Sequence, residues 1–119
     1  MFEFSVGKNK LILKKVEKKD VKFSINPNVE YLNWDLVPSG LYVRTWEEGD
    51  VFKPLGMEGT MKISDFLTNS KINLFDKKNI LLLASRTDIL WVCGMRLNDK
   101  YKISDDTRNY LLVQLIKSK

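Results

Sequence analysis

Histidine is absent from this 119-residue chain, cysteine occurs once and proline three times. Without histidine there is neither the commonest general base nor the commonest metal ligand. The lone cysteine, Cys93, closes no internal disulfide, so a reducing, cytoplasmic setting is expected. Cys93 ends the apolar run Leu90-Trp91-Val92-Cys93, which predicts a buried strand thiol; no histidine is present to activate it as a nucleophile. No apolar run is longer than Ile80 to Ala84, whereas a bilayer-spanning helix needs about 20 residues, so no membrane partner is expected. Met1-Phe2-Glu3-Phe4 lacks a basic region followed by an apolar core, and no secretory signal is expected. Glycines at 7, 40, 49, 56, 59 and 94 form neither of the common phosphate-cradling patterns, GxxxxGK and GxGxxG. The acids Glu47, Glu48, Asp105 and Asp106 lie in polar stretches and read as solvated turn residues, not as acid-base pairs or cation ligands. The expectation is a chain with no catalytic residue, no metal ligands and no cofactor of its own.

What the chain has in quantity is lysine, unevenly placed. Residues 1–28 carry seven lysines against three acids, and residues 59–104 eight basic groups against four acids. Between them, residues 29–58 carry two basic groups and six acids, within an overall net charge of +5. Segregated charge of this kind predicts basic faces, which attract phosphate through counterion release; lysines kept for solubility give the same composition.

A chain of this length is one domain's worth, 1–119, with residues 1–28 as a β-rich leading segment. Alternating apolar residues predict strands over Phe2–Val6, Leu11–Val16 and Val21–Ile25, the last two joined by Lys18-Lys19-Asp20. Asn26-Pro27-Asn28 predicts a turn, followed by strands over Val29–Trp34 and Leu41–Trp46. Glu47-Glu48-Gly49-Asp50 reads as a turn, and Pro54–Gly59 as irregular. Lys62–Asn69 is the best helix candidate, with Ile63, Phe66 and Leu67 on one face, and Asn73 is placed to cap a short turn ending near Lys78. Ile80–Ala84 and Ile89–Cys93 read as a hairpin across Ser85-Arg86-Thr87-Asp88, closed by Gly94, with further strands over Tyr101–Ile103 and Tyr110–Ile116. The fold class expected is mainly β with one or two short helices, on the border of α+β.

Three blocks stand out. The first is Arg44-Thr45-Trp46-Glu47-Glu48-Gly49-Asp50-Val51-Phe52-Lys53-Pro54-Leu55-Gly56-Met57. The second is Lys62-Ile63-Ser64-Asp65-Phe66, and the third runs from Trp91 through Gly94 and Arg96 to Tyr101-Lys102-Ile103. In order and spacing they resemble the C-terminal domain of bacterial tRNA(Ile)-lysidine synthetases, whose pattern is roughly R-x-W-x-x-G-D-R-F-x-P-L-G-M, K-x-S-D-F-F and W-V-x-G-x-R-I-x-x-R-F-K-V. The resemblance covers residues 29–116. It departs at Val51, where the family usually has Arg, at Leu67 for a second Phe, at Asn73 for Pro, and at Asp76-Lys77-Lys78 for a Leu-Arg-Asp-like run. Val51 removes one candidate RNA contact near the Gly49-Asp50 turn.

The resemblance implies a sandwich-like core of unusual topology, akin to a domain of the phenylalanyl-tRNA synthetase β subunit. It implies a parent ligase that uses ATP to join lysine to the wobble cytidine of the CAU anticodon. The family's Ser-Gly-Gly-x-Asp-Ser nucleotide loop belongs to an N-terminal domain, and Ser39-Gly40-Leu41-Tyr42 does not match it. This domain would then dock tRNA(Ile), towards the acceptor stem, beside the rest of the synthetase. Lys62, Lys71, Lys77, Lys78, Arg96, Lys100 and Lys102 are the candidate RNA contacts, and Arg44, Trp46, Gly49, Asp50, Phe52, Pro54, Gly56, Trp91 and Gly94 the candidate framework. Asp50 is expected to accept turn amides or to pair with Arg44. Trp91 reads as core, and Trp46 is the one aromatic candidate for stacking on a base, with core packing the favoured reading. A protein-interaction or dimerisation domain with an exposed sheet edge, and a single-strand-binding barrel, remain as alternatives.

Overall fold

The computed structural model describes residues 1–117 as two antiparallel four-stranded sheets, a two-stranded ribbon and two short helices. The strands are β1 (Phe2–Val6), β2 (Asn9–Val16), β3 (Val29–Asn33), β4 (Tyr42–Thr45), β5 (Val51–Phe52), β6 (Met61–Lys62), β7 (Leu81–Ala84), β8 (Ile89–Val92), β9 (Arg96–Leu97) and β10 (Tyr110–Ile116). The helices are α1 (Ile63–Asn69) and α2 (Leu74–Lys77). The first sheet runs β1-β2-β10-β3, the second β4-β7-β8-β9, and β5 pairs with β6.

One core lies between the sheets. Leu11, Leu13, Leu32, Leu111 and Val113 meet Leu81, Leu83, Leu90 and Trp91 there. A second core covers the other face of the second sheet, where Leu82, Ala84, Ile89 and Val92 pack on Phe52, Ile63, Phe66 and Leu67. Burial on both faces is why β7 and β8 read as unbroken apolar runs while β2 alternates. The register shift after Leu83 leaves Leu90 and Trp91 in the same core although they are adjacent in sequence.

Two expected strands are corrected. Val21–Ile25 is not a strand: a 3-10 turn at Lys18–Asp20 leads into unpaired backbone, and Phe23 and Ile25 are almost wholly exposed. Its alternation was real, but a strand also needs a pairing partner, and this segment does not take up the free edges of β1 or β3. Both edges of β2 are taken, by β1 and by the C-terminal β10. Tyr101–Ile103 is not a strand either. The pairing comes earlier, at β9, and a 3-10 turn at Asp99–Tyr101 follows, capped by the Asn98 side chain on the Lys100 N–H. Tyr101 is nevertheless buried, and its hydroxyl donates to Asp88 Oδ2 at 2.6 Å. No helix among the described residues is long and apolar enough to cross a membrane.

Candidate nucleic-acid interface

The site is built on the Arg44–Gly56 framework. Arg44 at the end of β4 grips Asp50 with two hydrogen bonds, 2.8 and 2.9 Å, and the same carboxylate accepts the Glu47 N–H at 2.7 Å. The guanidinium holds the Asp50 carboxyl below the usual carboxylate range, with the Glu47 amide adding to it. Gly49 turns the chain with φ of +95°, a region that L side chains rarely adopt. The Ile63 N–H donates to the Asp50 carbonyl, which places the start of α1, and Phe52 meets Phe66 edge to face at 5.2 Å.

Beyond β5 the first and third sequence blocks join. Buried Pro54 bridges Asn98, the Leu55 N–H donates to the Leu97 carbonyl, and the Gly56 N–H donates to Asp99 Oδ1 at 3.1 Å. That amide, assisted by Lys102 and Lys53, keeps the Asp99 carboxyl low. Gly94 closes the β8–β9 turn at φ +76°, where a Cβ would lie 2.9 Å from Asn28 Oδ1. Trp91 is buried, and so is Cys93, whose thiol is pushed up by desolvation. Trp46 is half-buried: its Nε1 donates to the Lys77 carbonyl at 2.7 Å and Lys77 Nζ lies over its ring. That hydrogen bond ties the segment after β4 to the end of α2.

The basic candidates divide. Lys100 lies 3.5 Å from Asp88 and Lys102 3.3 Å from Asp99, so each has an acidic neighbour within the fold. Lys62, Lys71, Lys77, Lys78 and Arg96 have no carboxylate within 4.0 Å among the described residues. Lys62 ends β6 directly across from the exposed Val51, a cation on the ribbon that carries the missing Arg. Arg96 lies over Phe66 at 5.8 Å. Lys71, Lys77 and Lys78 surround α2. Lys71 and Lys117 line a groove of about 480 Å³ with the amides of Asn9, Asn73 and Asn79, and Lys77 and Lys78 line a hollow of about 330 Å³ with Trp46 and Leu74. Lys71 is the one non-glycine residue with positive φ, +59°, among the described residues.

Sequence reasoning did not single out Lys117, or Lys14, Lys15 and Lys19, which line a shallow depression beside Tyr31. The lysine excess of residues 1–28 was the signal for the latter three. Lys15 covers Trp34 at 5.5 Å and Lys19 lies 3.6 Å from Glu17, so this second basic face is partly occupied.

Residues 41–113 match a family described as the TilS substrate C-terminal domain. The chain is 35% identical over 97 residues to a tRNA(Ile)-lysidine synthase of Parabacteroides distasonis, covering 82% of this chain and 22% of that protein. It is 30% identical over 112 residues to one of Caldanaerobacter subterraneus subsp. tengcongensis, covering 94% and 24%. The chain thus spans about a quarter of the length of these relatives. Its fold is similar to a solved TilS C-terminal domain, with a TM-score of 0.80 at 20% identity over 94% of this chain and 86% of that one. It is also similar to an N-terminal fragment of the phenylalanyl-tRNA synthetase β subunit of Pyrococcus horikoshii, with a TM-score of 0.63 at 18% identity over 73% and 27%.

Proposed function

Because the chain belongs to the TilS substrate C-terminal domain family, we propose that it is the tRNA-docking end of a tRNA(Ile)-lysidine synthase. The ligase chemistry, ATP-dependent attachment of lysine to the wobble cytidine of the CAU anticodon, belongs in this reading to the rest of the parent enzyme. This domain holds tRNA(Ile) by its acceptor-stem region and contributes no reacting group. The observation that carries the reading is the set of five cations, Lys62, Lys71, Lys77, Lys78 and Arg96, around α1, α2 and the adjoining β9, with no acidic partner among the described residues. A-form RNA hides its bases in a deep groove, so a duplex end is recognised by shape and phosphates, which point cations serve well.

The test is a titration of labelled tRNA(Ile) at several salt concentrations. Each phosphate neutralised on a duplex contributes roughly −0.9 to the slope of log K against log salt, so three or four contacts give a slope of about −3. The triple variant Lys71→Glu, Lys78→Glu, Arg96→Glu removes most of that slope, and each exposed change alters stability by less than about 0.5 kcal/mol. Equal binding by wild type and variant, or no binding by either at low salt, sinks the docking role. It would move a protein-interaction role ahead, which the exposed apolar Phe23 and Ile25 would serve.

A further inference from the structure

After residue 25, the two most exposed large apolar side chains are Leu74, at 78%, and Phe75, at 73%. They are consecutive residues of α2, a single helical turn held by several side-chain hydrogen bonds. Asn73 Oδ1 accepts the Asp76 N–H at 2.8 Å, and Asn73 Nδ2 donates to the Asp76 carboxylate at 2.8 Å. The Lys77 N–H donates to the Asn73 carbonyl, Asn79 Nδ2 donates to the Phe75 carbonyl, and Trp46 Nε1 donates to the Lys77 carbonyl. Two apolar groups are thus held out in water on a capped helical turn. On one flank lies the amide-rich groove with Lys71, on the other the hollow with Lys77 and Lys78. One acid, Asp76, also lines the groove and accepts from Asn73, against three lysines around the turn.

An apolar crest between cations has a natural counterpart in the open end of a nucleic-acid duplex. There the flat face of the last base pair is apolar, and the phosphates of both strands surround it. Lys71 adds a second indication. It keeps a charged side chain at a left-handed position where Gly is the usual occupant, and local strain of that kind gathers where function demands a particular side chain. Charge decides against an ordinary apolar protein partner, since such a surface would desolvate three cations without pairing them.

We propose that Leu74 and Phe75 form a stacking cap for the open end of an RNA duplex, with Lys71, Lys77 and Lys78 on the phosphates of its last nucleotides. This rests on the RNA-docking reading and deepens it, because it makes the end of the stem, and not only its backbone, the recognised feature. The 119-residue chain is titrated with two RNAs of identical stem. One is a hairpin with one blunt end and 2-aminopurine in the terminal pair, and the other a dumbbell closed by loops at both ends. The hairpin is expected to bind about tenfold tighter, with a change in 2-aminopurine emission. Phe75→Ala and Leu74→Ala each reduce that preference and leave the melting temperature and salt slope unchanged, while Phe75→Trp retains it. Equal affinity for hairpin and dumbbell, unaltered by Phe75→Ala, overturns the cap and leaves RNA docking standing. No binding to either RNA at low salt overturns both. Concentration-dependent self-association abolished by Phe75→Ala assigns the crest to a second copy of this chain and overturns the cap.

Discussion

Arg44–Gly56 and Lys71–Asn79 are joined by the Trp46–Lys77 hydrogen bond, yet they treat their polar groups in opposite ways. In the first, charges and amides close on one another. Arg44 is met by Asp50, Asp50 by the Glu47 amide, and the Gly56 amide by Asp99. In the second, three lysines have no acid and two large apolar side chains have no cover among the described residues. The lesson is that the segment richest in recognisable motif residues closes its polar groups on one another, while the plainer segment beside it keeps lysines and apolar side chains exposed.

The comparison breaks most sharply at two aromatics. Trp91→Ala, in the buried core, should cost about 3–5 kcal/mol in denaturant unfolding, whereas Phe75→Ala should cost less than about 0.5. Similar losses for both would mean that α2 belongs to the core after all. The next effect is at two glycines. Gly94→Ala combines left-handed strain with a Cβ 2.9 Å from Asn28 Oδ1, and should cost about 2–4 kcal/mol. Gly49→Ala meets nothing within 4 Å, so only the strain of about 1–2 kcal/mol remains. Thermal melts that rank the pair the other way would place a tight contact at the Gly49 turn.

Asp50→Ala removes both carboxylate bonds of the Arg44 guanidinium and the acceptor of the Glu47 amide, and should cost about 1–3 kcal/mol. Because the folded Asp50 pKa is depressed, its contribution is complete above the unfolded value of about 3.9 and is lost as pH falls through the folded value. Acid titration of stability should therefore be flatter in Asp50→Ala below about pH 4. It should not be flat, because Asp35, held by the Arg108 amide, and Asp99, held by the Gly56 amide, are lowered too. An unchanged acid limb would remove Asp50 from the scaffold. The smallest effect sharpens the other side: Lys71→Gly relieves a left-handed residue and should raise stability by less than about 1 kcal/mol while weakening RNA binding. A variant that gains stability and binds as before would show that Lys71 serves no partner.

Much of the fold was legible where local chemistry decides it. The Asn26-Pro27-Asn28 turn, the apolar face of α1, the Asn73 cap standing where the family has proline, and the hairpin with its Gly94 closure all follow from neighbours within a few residues. The mainly β class follows from the alternation along β1 and β2. What failed was pairing. Val21–Ile25 has the same alternation as β1 but pairs with no strand, and the place beside β2 is held by β10, nearly a hundred residues later. Tyr101 has a strand-like pattern but is drawn inward by Asp88.

The candidate site divides along the same line. Residue type and spacing marked the cations as a set, and the family resemblance marked the Arg44–Met57 block. That Lys100 and Lys102 are engaged by acids, that Trp46 is turned into an anchor, and that Leu74 and Phe75 stand exposed were settled only by the assembled structure. Side-chain periodicity is a property of the local backbone and is written in the order of residues. Exposure and charge pairing depend on which distant segments arrive opposite, and that is decided when the two sheets close on their common core.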